Sequence, residues 1–178
     1  MTDDRMTIEE KYTSATHASD LKVEAEKTGA ADVIIAAGWC KSHLGSALLR
    51  LHSEYDGASK PPGRATHTDV MILMVSLKSL YNVREQLFIV ADKLRINRRV
   101  ASDVLYWWLS PVCPTCHGQQ REAIVNTPML SDVVCPVCRG SGESRLPGGD
   151  AGRRIEAHMN DCLTSARDSI KKRLLRFL

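Results

Sequence analysis

Four cysteines in two spaced pairs are the residues of this chain best suited to chemistry. The first pair reads Cys113-Pro114-Thr115-Cys116, followed by His117 and Gly118. After an eighteen-residue interval the second reads Cys135-Pro136-Val137-Cys138, followed by Arg139, Gly140, Ser141 and Gly142. Each Cys-x-x-Cys turn aims two sulfurs at one point, and two turns at this separation complete a tetrahedron, the four-thiolate Zn2+ pattern. The glycine after each pair fits, because backbone amides must fold back tightly towards the sulfurs and a residue without a Cβ takes the positive φ this requires. A redox Cys-x-x-Cys is normally single and follows a strand, which nothing before Cys113 resembles. Cys116-His117 completes a c-type haem attachment string, but that leaves the second pair without a purpose. His117 reads as a neighbour of the ligands or a surface residue. With Cys113, Cys116, Cys135 and Cys138 all filling positions, no site stays open for water or substrate, so one structural Zn2+ is expected and no catalysis.

The rest of the chain must position this module. Its 178 residues allow one good core plus a small metal-stabilised appendage. No apolar run is long enough to span a bilayer, and the first residues lack a secretory signal, so no membrane partner is expected. Cys40 and Cys162 fall in helical patterns and read as small buried hydrophobes, which points to a reducing compartment, the cytoplasm. No nucleophile with a base at informative spacing, phosphate-binding glycine loop or paired acidic motif is visible, so an enzyme is not expected.

The expected fold is mainly α: a helical bundle interrupted by the four-cysteine module, with a C-terminal helix-turn-helix-like segment. Residues 1–30 read as a flexible acidic arm with a short helix at 19–27; they carry seven acidic and four basic side chains. Residues 31–110 read as the helical core. Periodicity predicts one helix from Ala31 to His52 with close-packing or bending points at Gly38 and Gly45, a loop at 53–66, a core helix from about Val70 to Tyr81, and helices at 83–94 and 98–109. Residues 111–146 form the zinc module, in which Ala123 to Val125 and Asp132 to Val134 are candidates for a short ribbon. Residues 147–178 are helical with an interruption near 160–164, and pack on the core.

From Arg145 onward the chain carries eight basic against four acidic side chains, the end where a polyanion would bind. If a helix starts at Thr164 or Ser165, Ala166, Ile170, Leu174 and Phe177 fall on one face, which would pack on the preceding helix. Arg167 and Ser169 then stand near base edges, and Arg153, Arg154, Lys171, Lys172 and Arg176 hold phosphates. The alternative is an amphipathic helix whose charges are merely solvated. A second candidate runs through Ala91, Arg95, Ile96, Ala101 and Val104, its second helix opening with Asn97-Arg98-Arg99. Arg95 at a turn position where Gly is usual, and the bulk of Tyr106, Trp107 and Trp108, favour core helices with a basic rim.

The zinc segment, with Ser144-Arg145-Leu146-Pro147 after it and helices on both sides, resembles the lambdoid bacteriophage late-gene antitermination proteins of the lambda Q type. The resemblance covers residues 31 to 178, and the first knuckle departs from it by having Gln120 where a second Gly is expected. Chaperone zinc domains of the DnaJ type use the same string, but in four copies with two metals. The resemblance implies zinc ligation by the four cysteines and binding to a double-stranded DNA element of a late promoter. It further implies engagement of paused host RNA polymerase through sigma region 4 and the β-subunit flap, and conversion to a terminator-resistant form in the bacterial cytoplasm. Two copies on repeated half-sites would suit a reader this small. The rival class is a zinc-module protein-interaction adaptor, co-chaperone-like or polymerase-associated, that never touches DNA.

Overall fold

The structure, a computed structural model, describes residues 6–18, 30–40, 42–58, 67–124, 127 and 129–175. Among them are seven helices and one two-stranded ribbon: α1 (Ile8–Thr16), α2 (Ala30–Gly38), α3 (His43–Gly57), α4 (His67–Ser76), α5 (Leu80–Leu94), α6 (Arg98–Leu109), β1 (Arg121–Ala123), β2 (Leu130–Val134) and α7 (Gly149–Leu174). The mainly helical expectation holds. No helix among the described residues is long and apolar enough to cross a membrane.

Helices α3, α5, α6 and α7 close around one core whose fully buried side chains include Leu48, Leu51, Leu87, Leu105, Ile155, Met159 and Ile170. Each comes from an apolar stripe at three- and four-residue spacing. On α7 that stripe runs unbroken through Gly152, Ile155, Met159, Leu163, Ala166, Ile170 and Leu174. Ala166, Ile170 and Leu174 share one buried face as expected, but that face packs on the core and not on a preceding helix, because α7 is a single helix of 26 residues with no turn at 160–164. The C-terminal helix-turn-helix is corrected on this point. Asn160, Asp161 and Thr164 are weak helix formers, and burial of Met159 and Leu163 on either side outweighs their propensity.

Two further expectations shift. The predicted helix from Ala31 to His52 is two helices, because Ser42 caps a new start: its hydroxyl accepts from the Gly45 amide at 3.1 Å. Gly38 ends α2, whereas Gly45 permits close packing, since a Cβ there would lie 2.1 Å from the Cys162 carbonyl oxygen of α7. The acidic arm also contains structure. Thr7 and Glu10 form a reciprocal capping box, and Tyr12 and Ala15 of α1 are buried. The helix expected at 19–27 lies outside the described residues. The predicted loop gives way to α3 as far as Gly57, with Ser53 and Tyr55 buried, and its residues 59–66 are not described.

The helix predicted from Val70 to Tyr81 ends at Ser76, and α5 starts at Leu80. Of its apolar residues Met74 is buried, Met71 and Leu73 are half-buried, and Ile72 and Val75 are exposed, so it is less of a core helix than its composition suggests. The start of α5 is held from outside. The Glu54 carboxylate accepts from the Ser79 amide at 2.8 Å and from the Ser79 hydroxyl at 2.7 Å, which satisfies a helix N-terminus and places a negative charge at its positive end. Glu54→Ala should lower stability by about 1–2 kcal/mol, read as a fall in the urea midpoint at unchanged slope; an unmoved midpoint would show that this bridge adds nothing.

Candidate metal centre

Helix α6 ends at Leu109, and the chain enters the first knuckle through Pro111 and Val112. It leaves the second knuckle through Glu143 and Ser144, and the two segments pair. Val112 and Glu143 form an antiparallel bridge, and the Ser144 amide donates to the Pro111 carbonyl at 2.7 Å. The Trp107 indole N–H donates to the Ser144 carbonyl at 2.9 Å and fixes this crossing to α6. Leu146 then packs on the core before α7 begins. The module thus closes the chain between α6 and α7, which pack on each other.

Inside the module the two halves repeat. The Cys113 carbonyl accepts from the His117 amide and the Cys135 carbonyl from the Arg139 amide, both at 2.8 Å. Reciprocally, the Cys113 amide donates to the Gly142 carbonyl at 2.8 Å and the Cys135 amide to the Gln120 carbonyl at 2.9 Å. Backbone conformation repeats as well: φ is 51° at His117 and 54° at Arg139, 82° at Gly118 and 85° at Gly140, 67° at Gln120 and 79° at Gly142. Gln120, where a second glycine was expected, holds the left-handed conformation that its counterpart Gly142 holds without a Cβ. A Cβ on Gly142 would stand 2.9 Å from the Gly118 carbonyl oxygen, so only one of the two positions tolerates a side chain.

All four sulfurs are buried and lie within 4.8 Å of one another, with Cys116 and Cys138 Sγ 3.6 Å apart. A tetrahedron of sulfurs at the usual zinc–sulfur length has edges of roughly 3.8 Å, so the spacing fits one ion. Charge points the same way. Two thiolates 4 Å apart repel by about 4 kcal/mol at an effective dielectric constant of 20, so four cannot ionise together without a cation. Burial and the adjacent Cys138 thiol push Cys116 up to about 11. Burial also raises Cys138, but the amides of Gly142 and Gly140 and the thiols of Cys116 and Cys135 outweigh it and bring Cys138 down to about 6. The amides of Cys116 and Thr115 outweigh burial likewise at Cys113 and lower it. The set could hold one metal ion, closed by four thiolates with no open position. The other two cysteines stand apart: Cys40 is buried and Cys162 half-buried, 3.6 Å from His158 Nε2.

The basic residues singled out from sequence do not gather at one place. Arg153 and Arg154 are exposed in the second turn of α7, Arg153 ion-paired with Asp150 and Arg154 donating to the Leu94 carbonyl at 3.3 Å. Lys171 and Lys172 are exposed about 25 Å further along the helix. Between them Arg167 is ion-paired with Glu9 of α1, and Ser169 is half-buried. Arg176 and Phe177 lie outside the described residues.

The upstream candidate is better formed. α5 and α6 pack together and are joined by three residues. Arg95 is left-handed at φ 55°, its amide donating to Ala91 and Asp92; Ile96 is buried, and the Asn97 side chain caps α6 by accepting from Arg99 N at 2.8 Å. Ala91, Ala101 and Val104 are fully buried, and Lys93, Arg95, Arg98 and Arg99 are exposed around the turn. Tyr106, Trp107 and Trp108 are only half-buried, less deeply packed than their bulk suggested. Arg154, reaching to Leu94, brings α7 to the same turn. Trp107 as the anchor of the module had no sequence signal, because its contact spans 37 residues.

No protein-family model matches the sequence, and no curated protein or solved structure matches the chain.

If the four thiols hold a single ion, the protein should bind one equivalent, and chelation should lower its unfolding temperature. Gln120→Gly should raise stability by up to about 1 kcal/mol by relieving a left-handed side-chain position, whereas Gly142→Ala should weaken metal retention in a chelator competition. Equal behaviour of the two variants would contradict the repeat.

Proposed function

We propose that this protein is a transcription antitermination factor that binds late-promoter duplex DNA, engages paused RNA polymerase in a bacterial host and converts it to a terminator-resistant form. It is not an enzyme; its metal is one structural Zn2+, held by Cys113, Cys116, Cys135 and Cys138. The observation that carries the DNA half is the α5–α6 turn, with a left-handed Arg95, a buried Ile96 and an α6 start that presents Arg98 and Arg99. Two packed helices joined by three residues suit entry of the second into a major groove, N-terminal end first. Duplex reading is accordingly assigned to α6, with Arg99 nearest base edges and Arg95, Arg153 and Arg154 on phosphates. Lys171 and Lys172 then serve a more distant stretch of backbone.

The zinc module sets the angle between this reader and the rest of the chain, because it ties the end of α6 to the start of α7. Its ribbon offers the polymerase-facing candidate. β1 and β2 pair with Arg121 opposite Val134 and Ala123 opposite Leu130, and Ile124, Met129, Leu130, Val133 and Val134 are all exposed. Exposed apolar side chains on this scale mark a protein contact. The same ribbon favours the second reading, an adaptor that binds a protein partner and never touches DNA.

Gel shifts with late-promoter duplex, and transcription across a terminator with and without the protein, separate the two. Arg99→Ala should weaken duplex binding by about tenfold and flatten its salt dependence by about one unit of slope. An adaptor would shift no DNA, and read-through that survives Arg99→Ala in full would remove α6 from the reading role.

A further inference from the structure

The outer face of α5 carries a ladder of rings and guanidinium groups. Tyr81, Arg84 and Phe88 recur at three- and four-residue spacing and so share one face. The Arg84 guanidinium lies 5.8 Å from the Tyr81 ring centre and 5.9 Å from that of Phe88. Arg98 arrives from α6 and lies 5.6 Å from the Phe88 ring centre on its own account. Asp92 grips Arg98 with two hydrogen bonds, at 3.0 and 2.6 Å, which fixes the guanidinium plane. The order along the surface is ring, cation, ring, cation.

Two features show that the ladder is not exhausted by its internal contacts. Tyr81 is 67 % exposed, so one face of its ring is open. Among the described residues Arg84 makes no ion pair. Unpaired bases are held by stacking on aromatic rings and guanidinium planes while nearby cations track the backbone. Tyr81 and Phe88, seven residues apart, are about 10.5 Å apart along the helix, close to three base-stacking intervals of 3.4 Å. Glu85 and Asp92 on the same side reduce the local positive charge, with Glu85 acting on Arg98 as well. That suits stacking with few phosphate contacts and disfavours the dense phosphates of a duplex.

We propose that the strip Tyr81–Arg84–Phe88–Arg98 binds single-stranded nucleic acid, a base stacking on the exposed Tyr81 ring while the guanidinium groups of Arg84 and Arg98 meet the strand beside it. Duplex reading at the α5–α6 turn is a separate property, which neither Tyr81 nor Arg84 serves.

The test is fluorescence anisotropy on the full-length, metal-loaded protein at low salt, with labelled oligo-dT and oligo-rU strands about 12 nucleotides long and a promoter duplex. Tyr81→Ala and Arg84→Ala should each weaken strand binding by about tenfold, Tyr81→Phe should retain it, and duplex binding should not move. Equal affinity for the two strands assigns recognition to stacking; preference for oligo-rU adds a 2′-hydroxyl contact. Arg99→Ala, which should affect the duplex, shows whether a failure belongs to duplex reading or to this strip. Thermal unfolding of each variant confirms that it folds. Failure of the wild type to bind either strand, strand affinity indifferent to both alanine variants, or parallel loss of duplex binding in a folded variant would each overturn the assignment. So would exclusive binding to an acidic peptide.

Discussion

Four buried thiols within 4.8 Å are the constraint on which the rest of this structure turns. Bare, they oppose each other: burial disfavours a thiolate, and each ionised sulfur raises the cost of ionising the next. The chain partly answers with backbone amides, those of Gly140 and Gly142 on one sulfur and those of Gly118 and Gln120 on another. Amides alone leave the Cys113 and Cys138 thiolates favoured beside a Cys116 held protonated, and a divalent cation would remove the conflict. Folding free energy from that ion is the natural support for a segment whose ribbon is otherwise exposed and has little core of its own. The consequence reaches beyond the module, because the crossing of residues 111–112 over 143–144 sets where α7 starts relative to the end of α6.

Local signals made the metal site legible and non-local ones did not. Cys-x-x-Cys spacing and the following glycines are short-range features, and the structure places each where the spacing implied. Gln120 looked like a departure from the repeat, yet its backbone follows the repeat; side-chain identity misled where conformation was conserved between the two halves. The anchoring of Ser144 by Trp107 was invisible because nothing in a bulky aromatic on a helix tells which distant carbonyl its N–H will meet. Helix identity was likewise readable from apolar spacing, while helix ends were not. Ser42 splits one predicted helix by capping, and α7 runs through a stretch of poor helix formers because burial of Met159 and Leu163 prevails over propensity.

Charge was legible in sum but not in place. Eight basic residues after residue 144 suggested one polyanion-binding end, yet a continuous α7 spreads them over its whole length and commits Arg167 to Glu9 of α1. The α1 that supplies Glu9 lies in the acidic segment read as a flexible arm, so the same contact accounts for two differences from expectation. One long helix converts a sequence cluster into two surface patches, and Arg154 of the N-terminal patch reaches the Leu94 carbonyl beside the α5–α6 turn.

The starts of α6 and α7 come together at that point: a Cβ on Gly148 would stand 2.4 Å from a Val100 methyl, while Gly149 and Asp150 beyond it are exposed. The start of α6 is likewise open. Its cap is the small side chain of Asn97, Arg98 and Arg99 are exposed beyond it, and the buried Ile96 holds the turn rigid from below. The strap that leads into α7 is also the one that Trp107 fastens to the far end of α6, so a metal with no open coordination position would act through the placement of these two helices and not through chemistry of its own.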